Sequence, residues 1–444
     1  MLALRLTRSA HPAVQLRRLL VAAASAATGF LLLSALGHAL AHPEASPASL
    51  LRLAWCTVPL SATVHLALAV ARTDPGTRPR PGLAAIGLGP ARLMAVSATT
   101  TALSTLLGSL LALLFFLHLR GDLTGMPFDG AAADFLAADR PLPLPAALTL
   151  LSLVPVTASV SVALMLRPRD AFLAAQAAPR LFGGFGSFGR QETRERFGTY
   201  GRSGARPAGG AREAGSGEDT PTQPSAPVNG TEHTPAPLPD PPPLNPTALP
   251  WGAALLAAGL AVEGYASRTT TAAPLPLPTG LPTAPTAVLL GWTLTALGLA
   301  LAGPGLTHLC GRLLQAARPG ALRLLAGRGL MEEASRIGRP LGVVCAVASG
   351  AYTMAALYDP ADPSSGPLTT LGATVVAGCT IATLLTAAVE ARQARAATTA
   401  ALLRLGAPTR TLRTAAAMRT GALLTLFVPL TAVVAELASL PLAR

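Results

Sequence analysis

Nine stretches of this chain are apolar for about the length an α-helix needs to cross the hydrocarbon of a bilayer, roughly 20 residues. They are Leu19–Leu40, Leu50–Val70, Met94–Leu117, Pro145–Leu166, Leu249–Tyr265, Ala287–Ala302, Leu341–Tyr358, Leu368–Ala388 and Ala416–Leu437, the fifth and sixth being short. In lipid every backbone N–H and C=O must be satisfied within the protein, so stretches of this length fold as helices. Of the 444 residues 51% are hydrophobic and only 12% are charged, against about 25% charged in a soluble domain. This excludes an ordinary water-soluble enzyme and predicts an all-α polytopic membrane protein with about nine transmembrane helices. Leu19–Leu40 also resembles a signal peptide, with Ala39-Leu40-Ala41 as a cleavage site. Its apolar run exceeds the roughly 7–15 residues of such a segment, so a retained helix is expected.

Charge sets the expected orientation. All 34 basic residues are arginine, and there is no lysine. With the N-terminus in the cytoplasm and all nine stretches threaded, the inner segments 1–18, 72–93, 167–248, 303–340 and 389–415 hold 28 of the 34 arginines. The outer segments hold Arg120, Arg140, Arg268 and Arg444, while Arg52 and Arg419 lie near helix ends. Arginine excess on one side is the positive-inside pattern. It makes the net charge of +13 a topology signal rather than a nucleic-acid footprint. A multi-pass protein of the plasma membrane is expected, with the lipid bilayer as a partner and no nucleic acid.

Residues 167–248 are the exception to the apolar pattern. They are rich in Gly, Pro, Ser and Thr, with few aliphatic side chains after Leu181, a composition that cannot bury enough surface to fold. A disordered cytoplasmic linker is expected there. Gly184-Phe185-Gly186-Ser187-Phe188-Gly189 matches GxGxxG, but no strand precedes it, so no dinucleotide site is expected. Phe182, Phe185, Phe188, Phe197 and Tyr200 interleave with Arg190, Arg194 and Arg196. Near a membrane exit such a segment suits anionic headgroups better than nucleic acid. The four cysteines form no CxxC pair and the seven histidines no HExxH, so neither metal nor cofactor is expected, and no catalytic residue.

The two ends of the chain share an order of elements. Arg5, Arg8, Arg17 and Arg18 precede the first apolar stretch, as Arg323, Arg328, Arg336 and Arg339 precede Leu341–Tyr358. In each case a short outer loop, a second apolar stretch, an inner basic stretch and a third apolar stretch follow. Leu88-Gly89-Pro90-Ala91-Arg92 parallels Leu405-Gly406-Ala407-Pro408-Thr409-Arg410 with one gap. Within the second inner stretch, Ala, Leu, Gln and Arg favour a helix, which Gly406 and Pro408 then break. That predicts a short amphipathic helix on the inner face. On the residues alone, an ordinary basic juxtamembrane loop accounts for the stretch equally well.

Leu402-Leu403-Arg404-Leu405-Gly406-Ala407 resembles the core of the inner loop of FtsX-like permeases, the membrane subunits of MacB-type ABC transporters. A second patch is similar to actinobacterial members of that family: Ala302-Gly303-Pro304-Gly305-Leu306-Thr307, Gly311-Arg312-Leu313-Leu314, Arg318-Pro319 and Leu324-Leu325-Ala326-Gly327-Arg328. The resemblance spans roughly 1–166 and 287–440 and is stronger in the second part. It implies a first membrane repeat of four helices over 1–166 and the linker over 167–248. A connecting helix pair follows over 249–322, then a second repeat of three helices over 323–444. Three departures stand out. The loops 41–49 and 359–367 are too short for the large outer domain many members carry, the first-half motif lacks the Leu-Arg-x-Leu form, and the second repeat stops one helix early. Either the chain is truncated or one apolar stretch does not cross.

The resemblance implies a permease subunit worked by a separate ABC ATPase, itself a dimer, with a substrate that is amphiphilic or hydrophobic. No GxxxxGK[ST] occurs, and none is possible without lysine. The residues implied for contact with the ATPase are Arg392, Arg395, Leu402, Leu403, Arg404, Leu405, Gly406 and Arg410, with Arg72, Leu88, Gly89 and Arg92 as a weaker second surface. The alternative is a non-transporting scaffold that passes ATPase motion to an outer partner, for which 118–144 with its four aspartates could serve. An ion-coupled transporter needs ionisable groups in the membrane. The candidates Arg52, His65, Glu263, Arg419 and Glu436 all lie near helix ends except His65, which argues against that class. Glu332 and Glu333 are expected to pair within their own helix with Arg328 and Arg336.

Overall fold

A computed structural model describes residues 12–73, 90–123, 129–167, 248–266, 286–316, 320–356 and 366–439. The described residues form eleven helices and no strand. In chain order these are α1 (Pro12–Ala41), α2 (Ser46–Trp55), α3 (Thr57–Thr73), α4 (Pro90–Arg120), α5 (Leu144–Met165) and α6 (Ala248–Ala266), then α7 (Thr286–Ala316), α8 (Ala321–Ala356), α9 (Pro367–Ala394), α10 (Ala396–Arg404) and α11 (Thr409–Ser439). The expected linker lies outside the described residues apart from Arg167 and Ala248, the latter opening α6. Eight of the nine expected spans coincide with segments long and apolar enough to cross a membrane. The ninth, Leu341–Tyr358, falls in the second half of α8 as far as Ala356, preceded on the same helix by Arg323, Arg328, Arg336 and Arg339. This is a polytopic helical membrane protein.

One expected span is two helices. Leu50–Val70 breaks between α2 and α3 at Cys56. Pro59 has no N–H to give the carbonyl of Trp55, and its ring crowds that carbonyl. Cys56 N–H instead bonds back to Arg52 O at 3.2 Å and Leu53 O at 3.1 Å, and the ladder resumes with Leu60 N–H on Cys56 O at 3.1 Å.

Helices in lipid gain little from hydrophobic burial against one another, so small residues and hydroxyl contacts carry their association. In the first half, α1 packs along α4, and α4 along α5. Ser25 Oγ donates to Thr105 O at 2.8 Å, and Ser109 Oγ to Leu151 O at 3.1 Å. In the second half α8 packs along α11 and α9. The two halves meet chiefly where α3 lies on α9, around Leu66, Ala67, Val70, Val375 and Cys379. A polar thread runs through this seam: Thr28 Oγ1 is 2.9 Å from Thr63 Oγ1, which is 4.0 Å from Cys379 Sγ.

The second family-like patch has a packing explanation. Gly303 on α7 and Gly338 and Gly342 on α8 lie where the two backbones nearly touch, and Gly311 and Gly327 meet further along. A Cβ on Gly303 would lie 2.1 Å from Gly338 O, whereas one on Gly378 of α9 would meet nothing within 4 Å. Gly303→Val should therefore destabilise the chain by about 1–3 kcal/mol or more, and Gly378→Val by far less. Thermal unfolding midpoints in detergent check this, and equal shifts for the two would sink it.

The described residues of the loop after α4, 121–123 and 129–143, form a cap. Leu136, 1% exposed, packs with Leu33, Phe116 and Ala147. Arg120 is buried beneath it; its Nη2 donates to Arg140 O and its Nε lies 3.4 Å from Asp122 Oδ2. His118 Nδ1 is 3.8 Å from Asp129 Oδ1. Arg140 Nε is 3.5 Å from Asp139 Oδ2, so three of the four aspartates offered above to an outer partner are turned on the cap's own bases.

Candidate functional site

The candidate coupling surface is built around one joint. α9 ends and α10 begins on the same residue, Arg395, whose N–H bonds to Ala391 O at 3.2 Å and whose carbonyl accepts from Thr399 N–H at 2.9 Å. With no loop between them, α10 is an extension of α9 turned aside. It ends in a Schellman motif. Gly406 N–H bonds to Leu403 O and Ala407 N–H to Leu402 O, each at 3.0 Å. Gly406 has φ +86°, a conformation that favours glycine. Pro408 and Thr409 then lead into α11. The expected short helix and its Gly406 stop are both present.

Most of the residues expected to contact an ATPase are on the surface of this joint. Arg392, Leu403, Arg404, Gly406 and Arg410 are exposed, Leu402 is half-buried, and Leu405 is 84% exposed. α10 makes its main helix contact with α9 alone, so its leucines are not spent on the core. On the weaker surface, Arg72 in the last turn of α3 and Arg92 in the first turn of α4 are exposed. Leu88 and Gly89 lie outside the described residues.

Arg395 has a different position from its companions. Its Nε lies 2.5 Å from Glu333 Oε1, and the two side chains are 33% and 6% exposed. The same Nε donates to Ala391 O at 3.2 Å. Glu333 therefore pairs across to α9, not with Arg336 or an arginine of its own turn, which corrects the intrahelical expectation. Burial pushes the Glu333 carboxyl above its ordinary range, while Arg395 and Arg419 pull it back. Arg419 of α11 lies over Gly329 of α8, where a Cβ would meet Arg419 Nη1 at 2.7 Å. So α8, the α9–α10 joint and α11 meet at one cluster of buried Glu333 with half-buried Arg395 and Arg419.

The other ionisable groups of the spans differ among themselves. Glu436 is exposed and accepts from Tyr352 Oη at 2.7 Å, and Arg52 and His65 are half-buried. Glu263 overturns its expectation: a place near a helix end implies solvation, yet it is 1% exposed. An ionised group within a span costs about 2.5–3.5 kcal/mol on insertion scales. Sequence position alone could not show that α7 covers it. Among the described residues no three His, Cys, Asp or Glu side chains are placed to hold a metal, and the four cysteines are free and buried.

No family model matches the chain, and no curated protein or solved structure is significantly similar to it.

Proposed function

We propose that this chain is the permease subunit of an ABC transporter of FtsX-like type, driven by a separate ATPase that docks on α10. The observation that carries this reading is the α9–α10 joint: a nine-residue helix, standing clear of the bundle with Leu405 84% exposed. It is continuous with one membrane helix and one tight turn from the next. Exposed leucines beside arginines suit a groove with an apolar floor and acidic walls, the apolar anchor supplying affinity and the charges orientation. Closure of an ATPase dimer would push α10, and α9 and α11 would move with it as rigid bodies. The packing of the halves supports the repeat reading. In each, the first helix of the repeat lies along the third, and the second helices of the two halves lie against one another. On this reading α10 faces the cytoplasm, the membrane is the plasma membrane, and the substrate is amphiphilic or hydrophobic.

The test is a pull-down of the tagged full chain in mild detergent, with mass spectrometry of what it carries and an ATP hydrolysis assay. An ATPase that co-purifies and hydrolyses ATP is the expected result. Its absence, together with a spin label at Leu405→Cys that reports burial in lipid, would overturn the docking assignment in favour of a helix lying in the headgroups.

A further inference from the structure

The coupling surface leaves unexplained a carboxyl held inside the membrane-spanning bundle. Glu263 is on α6, three residues before its end at Ala266, and is 1% exposed. Thr295 Oγ1 of α7 donates to its Oε1 at 3.0 Å. Its Oε2 is buried with no hydrogen-bond partner. Among the described residues no arginine or histidine lies within ion-pair distance of it.

The surroundings are shaped to this pair. A Cβ on Gly291 would lie 2.4 Å from Glu263 Cγ, and a Cβ on Gly259 would lie 2.4 Å from Thr295 Oγ1. A glycine thus stands opposite each partner, and any larger residue would expel it. Trp292, next after Gly291, has its Nε1 buried without an acceptor. The charged side chains on the helices packed against α6 are engaged or distant. On α7, His308 and Arg312 lie 13 and 17 residues beyond Thr295, about 20 Å or more along the axis. On α11, Arg419 belongs to the Glu333 cluster and Glu436 accepts from Tyr352, while Arg410 and Arg413 are exposed in its first two turns. On α6 itself the neighbouring Tyr265 is 70% exposed.

An ionised carboxylate calls for donors on both oxygens and a counter-charge nearby. Among the described residues this one has a single donor and no counter-charge. A neutral acid fits the same geometry: the carbonyl oxygen, Oε1, accepts from Thr295, and Oε2 carries the proton. A buried carboxyl without a partner relieves its desolvation by keeping its proton. We propose that Glu263 is a proton-binding site within the membrane, neutral at rest, which exchanges its proton with the aqueous phase about one helical turn away. The ligand is the proton, taken up on Oε2 and released from it, with no other bond made or broken. This goes beyond ATPase docking, because it gives the α6–α7 hairpin an ionic event of its own.

The experiment is infrared spectroscopy of the full chain in proteoliposomes, which needs no ATPase and so does not depend on the proposed partner. At neutral pH the wild type should show the carbonyl stretch of a protonated carboxylic acid. That band should be lost in Glu263→Gln, moved to higher wavenumber in Thr295→Val by loss of the hydrogen bond, and moved down after transfer to D2O. Thr295→Val keeps the test decisive if Glu263→Gln fails to fold. A neutral-pH spectrum without the acid band overturns the proposal, because Glu263 is then ionised. A band that does not move in D2O overturns it too, because the acid is then locked in place and binds no exchanging proton.

Discussion

A chain carrying Arg404→Asp and Leu405→Asp should lose the proposed ATPase while remaining folded in the membrane. Leu405 is 84% exposed and Arg404 is exposed, and surface changes of this kind move stability by only about 0.5 kcal/mol. In a docked complex the same two residues become the apolar anchor and its adjacent charge. Removing an anchor costs about 2 kcal/mol or more, which is about 30-fold in Kd, and reversing the arginine's charge adds to it. The retained ATPase in a pull-down should fall by at least that factor, and partner-stimulated ATP turnover should fall with it. The thermal midpoint of the isolated chain should stay where it is. Arg92→Asp, on the weaker surface, should cost less. Undiminished capture and turnover in the double variant would remove α10 from the interface.

Glu333→Ala should have the opposite profile, with a large loss of stability and a secondary loss of coupling. Glu333 is the acid between Arg395 and Arg419, and its side chain is 6% exposed. Removing one member of a buried pair leaves the other charge uncompensated and costs about 3–5 kcal/mol. Arg395 keeps some solvent contact at 33% exposure, which places the cost at the lower end. Unfolding midpoints should drop, and a protease should cut near α10 sooner, because Arg395 no longer ties the joint to α8. Glu333→Gln combined with Arg395→Gln should recover much of the loss, and the double-mutant cycle would give the coupling energy directly. Glu332→Ala, at the neighbouring exposed position, is the control. If it lowers the midpoint as much as Glu333→Ala, the cluster is not what holds the joint.

What could be read from the sequence follows the range of the interactions involved. The spans were legible because hydropathy is a local sum, and α10 because Ala, Leu and Arg favour helix and Gly406 and Pro408 end it within a few residues. The split at Cys56 was written in Pro59, three residues on, yet the apolar run masked it. For Glu333 the sequence points to the wrong partner, because suitable arginines stand at helical spacing on its own helix while the actual partner is 62 positions away. Glu263 was misjudged for a similar reason. Proximity to a helix end predicts hydration only if no neighbour covers the side chain, and the cover comes from α7. Gly259 and Gly291 were the available sign, but glycines acquire meaning only once it is known which helices face each other.

The contact between Thr63 and Cys379 acquires a mechanical sense once α9 is measured against it. α9 has 28 residues, about 42 Å of helix. Cys379 stands 12 residues from Pro367 and 15 from Ala394, about 18 and 22 Å from the two ends. A rod held near its middle is a seesaw with arms of almost equal length. If that contact is the fulcrum, each ångström by which α10 is pushed returns about 0.8 Å at the far end, in the opposite sense. Such a lever damps only slightly and inverts, so that an inward stroke on one face of the membrane becomes an outward stroke on the other.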